Sequence, residues 1–209
     1  MNTNYEHRDI TQISIWPEFS YDVIMQQYGT ELSAYQIMPD PMLTSPPQAI
    51  RDEPLFHARF CEYILSQICR ALCEGFKQLG LQLFSHQLTP VAFDDGTATD
   101  LVFNYKPDMA FIDVNSSIGE RKNRCPGDLK AKEYRQVLSQ VNFYMKQNDA
   151  RYSFIITDTE LVPVKRVSEN GHLTIVTAIS STQRGPGQLI ILLGLWYLGM
   201  LAASSNWEL

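Results

Sequence analysis

Residues 106–148, KPDMAFIDVNSSIGERKNRCPGDLKAKEYRQVLSQVNFYMKQN, decide the fold. The apolar run MAFIDV after Pro107-Asp108 reads as a strand, NSSIGERKNR as the loop behind it, and CPGDLKA as the next strand. From Glu133 to Asn148 the apolar residues Val137, Leu138, Val141 and Met145 form one stripe, which predicts an amphipathic helix. A strand alternates its side chains, so Asp128 and Lys130 share one face while Leu129 takes the other. The connecting loop is rich in Asn, Ser and Gly, which predicts antiparallel neighbours and sets Asp108 beside Asp128. On the helix, Gln136, Gln140 and Tyr144 recur at i, i+4 spacing along one polar-edged face.

Working outward, DEPLFHARFCEYILSQICRALCEGFKQLG has apolar residues at helical spacing from Phe56 to Phe76. An acidic start, Pro54 in the first turn and Gly80 as a stop predict one long helix. LQLFSH, the run after Thr89, and LVFNY read as strands, and DDGTATD as a turn cluster. Behind the central helix, RYSFIITD, LVPVKRV and HLTIVTAI are three strands, the last two joined by SENG in a hairpin. A last helix covers Gln188 to Ala203; its apolar residues surround it, so it belongs in the core or across a homodimer interface. At 15 residues, the run Leu189–Ala203 is shorter than the ~20 a bilayer span needs, and no membrane partner is expected. Residues 1–51 form an arm whose prolines at 39, 41, 46 and 47 break helices. It is expected to be extended and to pack Trp16, Phe19, Tyr21 and Tyr28 on the domain formed by residues 52–209.

The chain has 209 residues and a formal charge of −6, unevenly spread. Lys106–Arg166 holds 11 basic against 8 acidic residues, while the rest holds 6 against 15, so positive charge gathers around the central stretch. Cys61, Cys69, Cys73 and Cys125 make no C-x-x-C pair, which argues against a zinc site or disulfide framework. The polar, acid-containing MNTNYEHRDITQ is unlike a leader, and an intracellular, nuclear or cytoplasmic location is expected. His57, His86 and His172 stand outside any motif and read as surface or packing residues. Arg121, Lys122 and Arg124 make a small basic loop, either solvated or set against phosphate.

Two aspartates and a lysine on neighbouring strands are the minimum equipment for metal-assisted phosphodiester hydrolysis. Mg²⁺ takes one or two carboxylates and keeps several waters, and a lysine can orient water or stabilise charge on the phosphorane-like transition state. The joint pattern P-D, strand, loop, D-x-K, then a helix with Q-x-x-x-Y resembles the PD-(D/E)xK nuclease superfamily, in its RecB and lambda-exonuclease-like branch. GDLK, YRQVLSQVNFYMKQ, RYSFIITDTELVPVKR and GPGQL are also similar to a group of fungal proteins of that superfamily, from about Asp52 to the C-terminus. The resemblance implies an α/β, restriction-endonuclease-like fold, a central mixed sheet flanked by helices in the order α-β-β-β-α-β. It also implies roles. Asp108, Asp128 and the Leu129 carbonyl would be ligands of Mg²⁺ or Mn²⁺, with Glu62 as a further acid from the first helix; Lys130 would be the catalytic lysine; Gln140 and Tyr144 would be the helix pair beside the site.

The function this implies is a Mg²⁺-dependent nuclease hydrolysing phosphodiester bonds of a nucleic acid, DNA first. Two features favour a second reading, a nuclease-fold protein turned to a small molecule or to an interaction role. They are the acidic total and the short connection, only Ala131 and Lys132, between Lys130 and Glu133.

Overall fold

The structure is a computed structural model and describes residues 9–34, 50–99, 106–117, 121–130 and 134–209. Its strands are β1 (Gln12–Ile15), β2 (Val91–Asp95), β3 (Met109–Asp113), β4 (Gly127–Leu129), β5 (Tyr152–Ile156), β6 (Glu160–Arg166), β7 (His172–Ile175) and β8 (Ile179–Ser180). They form one sheet in the order β1-β7-β6-β5-β4-β3-β2, with β8 also paired to β6. The sheet is mixed: β1 with β7 and β4 with β5 are parallel and the other pairs antiparallel. The helices are α1 (Tyr21–Ala34), α2 (Glu53–Phe60), α3 (Ser66–Leu79), α4 (Gln82–Ser85), α5 (Tyr134–Gln147) and α6 (Ile191–Ala203).

Central β5 is buried at all five positions, so its run YSFII feeds both faces of the sheet. Ile155 meets the α5 stripe of Val137, Leu138, Val141 and Met145, together with Val162, Val164 and Leu173. On the opposite face Phe154 joins Phe93 and Phe111 beneath α3 and α6. The expected mixed α/β sheet between helices is therefore present, with α5 on one side and the other long helices on the other.

The first long helix begins where its caps say. Asp52 Oδ1 accepts the Leu55 N–H at 2.9 Å, Pro54 lies in the first turn, and Gly80 ends the run with φ +45°. Between α2 and α3, Cys61–Leu65 is a π-helical turn. In α6, nine of thirteen residues are buried, so most of the all-round apolar pattern is spent inside its own chain. No helix among the described residues is long and apolar enough to cross a membrane.

Two local expectations fail. LQLFSH is no strand: Gly80 turns the chain, the Leu83 N–H bonds the Gly80 carbonyl and the His86 N–H that of Gln82, closing the short helix α4. The arm is not extended throughout either. Residues 21–34 contain no proline and form α1, and β1 enters the main sheet, while Trp16 and Phe19 are buried and Tyr28 meets Trp196 edge-on. LVFNY and the proline cluster lie outside the described residues.

Candidate active site

Asp108 stands one residue before β3, and Asp128 is the middle residue of β4. The pairing of Met109 with Gly127 puts the two acids on antiparallel neighbours, as the loop composition predicted. Their approach depends on two glycines. A Cβ on Gly127 would lie 2.0 Å from Phe154, whose ring covers that position, and a Cβ on Gly96 would lie 1.8 Å from the Pro107 carbonyl oxygen. Gly96 also donates its N–H to the Asp108 carbonyl at 3.0 Å, so a side chain there would expel the Pro107-Asp108 turn.

Asp108 Oδ2 accepts the Leu129 N–H at 2.8 Å, which fastens the first acid across the strand gap to the D-x-K segment. The Lys130 N–H in turn bonds the Ile156 carbonyl at 3.0 Å, anchoring the segment on β5. Lys130 Nζ then lies 3.0 Å from Glu53 Oε1, 3.8 Å from Asp128 Oδ1 and 4.0 Å from Asp108 Oδ2. One ammonium thus faces three carboxylates. Burial alone would lower the lysine's pKa, but Asp128, Glu53 and Asp108 outweigh it and hold the ammonium above its ordinary value.

Asp128 is the anomaly. Its side chain is 1% exposed, and neither carboxyl oxygen has a hydrogen-bond partner among the described residues. Burial first, and then the neighbouring Asp108 charge, push its pKa up to about 8, with Lys130 opposing. A buried polar atom without a partner is costly, so such a carboxyl calls for either a proton or a cation. The donor chemistry suits a hard divalent ion, two carboxyl groups side by side with a local charge of −2 once Asp128 has given up its proton and Lys130 is counted against Asp108, Asp128 and Glu53. No group of three or more His, Cys, Asp or Glu side chains among the described residues is placed to hold a metal.

Glu62 is not the helix acid that meets the lysine. It is exposed, bonds Arg59 at 2.6 Å, and lies about 13 Å along the helix from Glu53, which takes that place. Only a contact spanning 77 positions identifies Glu53. The local signal, an acid just after the Asp52 cap, reads equally well as dipole compensation. Gln140 and Tyr144 bond each other, the amide donating to the phenol at 2.8 Å, on the helix that packs against β4 and β5. Leu129 is fully buried as the last residue of β4.

Sequence reasoning also missed a pair of buried asparagines. Asn123 donates from its amide to the Met109 carbonyl and accepts the Cys125 N–H. Its own N–H goes to Asn148, which bonds the Tyr144 carbonyl. The loop, β3 and the end of α5 are thereby tied together beside Asp108. His57 is not isolated either: its Nε2 is 3.5 Å from Asp95 and its Nδ1 3.7 Å from Cys61 Sγ. The basic loop is occupied. Arg124 pairs with Asp113 at 2.6 Å, Lys122 with Glu208 at 3.3 Å and Asp149 at 3.6 Å, and Arg121 donates to the Ser116 carbonyl.

A cavity of about 970 Å³ opens beside α2, walled by Phe56, Phe60, Ile64, Ile156, Leu192 and Leu193; Asp108, Asp128 and Glu53 are not among its lining residues. Compared with protein-family models, curated proteins and solved structures, the chain matches none.

Proposed function

We propose that this chain is a nuclease of the PD-(D/E)xK type, on a restriction-endonuclease-like sheet, hydrolysing phosphodiester bonds of DNA with Mg²⁺ or Mn²⁺. The observation that carries the reading is Asp128, buried beside Asp108 and Lys130 with neither carboxyl oxygen hydrogen-bonded among the described residues. A chain that needed only stability would gain from an apolar residue there.

Asp108, Asp128 and the Leu129 carbonyl would hold the cation, which when bound supplies Lewis-acid polarisation of the scissile phosphoryl group. Lys130 keeps a full positive charge at the site and faces the charge that develops on the phosphoryl oxygens. Glu53 holds that ammonium by its 3.0 Å contact. The Asp108 bond to the Leu129 N–H fixes the carboxylate relative to the lysine.

The test is cleavage of single-stranded DNA, duplex DNA and RNA with Mg²⁺ or Mn²⁺, in the parent chain and in Asp108→Asn. Metal-dependent cleavage that the variant lacks supports the reading, and a parent that cleaves none of the three overturns it. The apolar cavity, whose lining excludes these acids, favours one second reading, a fold turned to binding a small apolar molecule. Saturable binding of such a molecule by a chain that cleaves no nucleic acid would select it.

A further inference from the structure

We propose that the chain associates with a second copy of itself through β1, edge to edge and antiparallel about a two-fold axis at Ser14. Among the described residues the two ends of the sheet are β1 and β2, and they are built differently. The β2 end carries Asp94 and Asp95, and Cys69 donates its thiol to the Phe93 carbonyl at 3.0 Å. Charge and a covering helix are the usual protection of an edge. Thr11 to Ile15 carries no charge, and Ile13 and Ile15 are 49% and 62% exposed.

The backbone fixes the register. The Trp16 N–H bonds the Ile175 carbonyl of β7, so strand alternation turns the N–H and C=O groups of Ile15 and Ile13 outward. The Thr11 N–H is taken by Gly171, and Pro17, the next outward position, has no N–H. Ile13 and Ile15 are thus the outward donors, and one antiparallel register uses both: Ile13 opposite Ile15 of the second copy, and the reverse. That pairing is isologous and makes four main-chain bonds. Its side chains agree with it. Ile13 and Ile15 lie on the face of their register partners Leu173 and Ile175, so four isoleucines meet beside the apolar layer under α5. No like charges oppose each other, since Asp9 falls opposite Phe19 and Glu18 opposite Ile10. The strand is short, and the association is expected near micromolar strength.

Ser14 sits on the axis as a non-hydrogen-bonded pair, where opposing Cα atoms lie about 4.5 Å apart, within disulfide range. With Cys73, the exposed thiol, changed to Ser, the full chain bearing Ser14→Cys should oxidise to a disulfide-linked dimer. The chain bearing Gln12→Cys, four register steps from its own copy, should not. Sedimentation equilibrium of the parent at tens of micromolar should give twice 23.9 kDa, and Ile13→Lys with Ile15→Lys should return it to the monomer with an unchanged circular dichroism spectrum. A monomeric parent together with equal crosslinking of the two cysteine variants overturns the proposal. So does a monomer whose Ile13 and Ile15 amides exchange slowly, because the edge would then be covered by the chain's own first residues. The cleavage assay is independent of this outcome.

Discussion

Two places in this molecule gather basic and acidic side chains, and they are settled in opposite ways. At the C-terminal cluster Arg124 meets Asp113, Lys122 meets Glu208 and Asp149, and both cations lie over the Trp207 ring. Burial lowers the Arg124 pKa while Asp113 and Glu208 hold it up, and every charge finds an opposite. Around Lys130 one ammonium faces three carboxylates, and the most buried of them has no hydrogen bond among the described residues. The first cluster finishes a fold. The second is left incomplete by the described side chains, as a site that takes something in would be.

The sharpest way to break this comparison is to exchange variants between the clusters. Asp108→Asn should abolish metal binding and metal-dependent cleavage. Lys130→Met should keep Mg²⁺ affinity, or raise it slightly as a nearby positive charge disappears, yet lower single-turnover cleavage about 10²-fold or more. Arg124→Met should leave cleavage within about twofold and appear in a denaturant titration as a loss of about 1–3 kcal/mol, because Asp113 is left half-buried without its partner. Equal cleavage losses at Lys130 and Arg124 would erase the distinction.

A second prediction concerns pH. In the folded chain Asp128 holds its proton up to about pH 8, whereas unfolded it releases it near about 4. Between those values the folded state binds more protons, so metal-free stability should fall as pH rises across the window. Asp128→Asn should flatten that slope and be the more stable protein at pH 8. Urea titrations at intervals of pH measure both, and an unchanged slope in the variant would remove Asp128 as its source.

Smaller effects sharpen the geometry. Gly127→Ala forces the Phe154 ring aside and should cost about 1–3 kcal/mol while also displacing Asp128. Glu53→Gln should reduce cleavage only severalfold with stability unchanged, since the exposed Glu53 offers one contact to a lysine that keeps two others.

The candidate site was legible in the sequence where it depends on neighbours along the chain. Strand parity gave Asp128 and Lys130 one face, and the loop gave antiparallel strands that bring Asp108 to the Leu129 N–H. Glu53 was hidden because its partner lies on another element, and Glu62, the acid nearer the helix middle, answers Arg59 instead. Residues 21–34 were misread because the prolines at 39 to 47 coloured the whole arm. Leu81 and Phe84 in LQLFSH imitate a buried strand, yet they are 96% and 94% exposed on a helical turn closed by Gly80.

The central claim is that the Asp128 carboxyl exchanges a proton for a cation. Calorimetric titration of Mn²⁺ into the metal-free chain, in two buffers of different ionisation enthalpy, counts protons released per ion bound. About one proton should leave at about pH 6.5 and about none at about pH 9.5, on either side of the Asp128 pKa of about 8. The same proton count at both pH values, or no Mn²⁺ binding at either, would contradict the account.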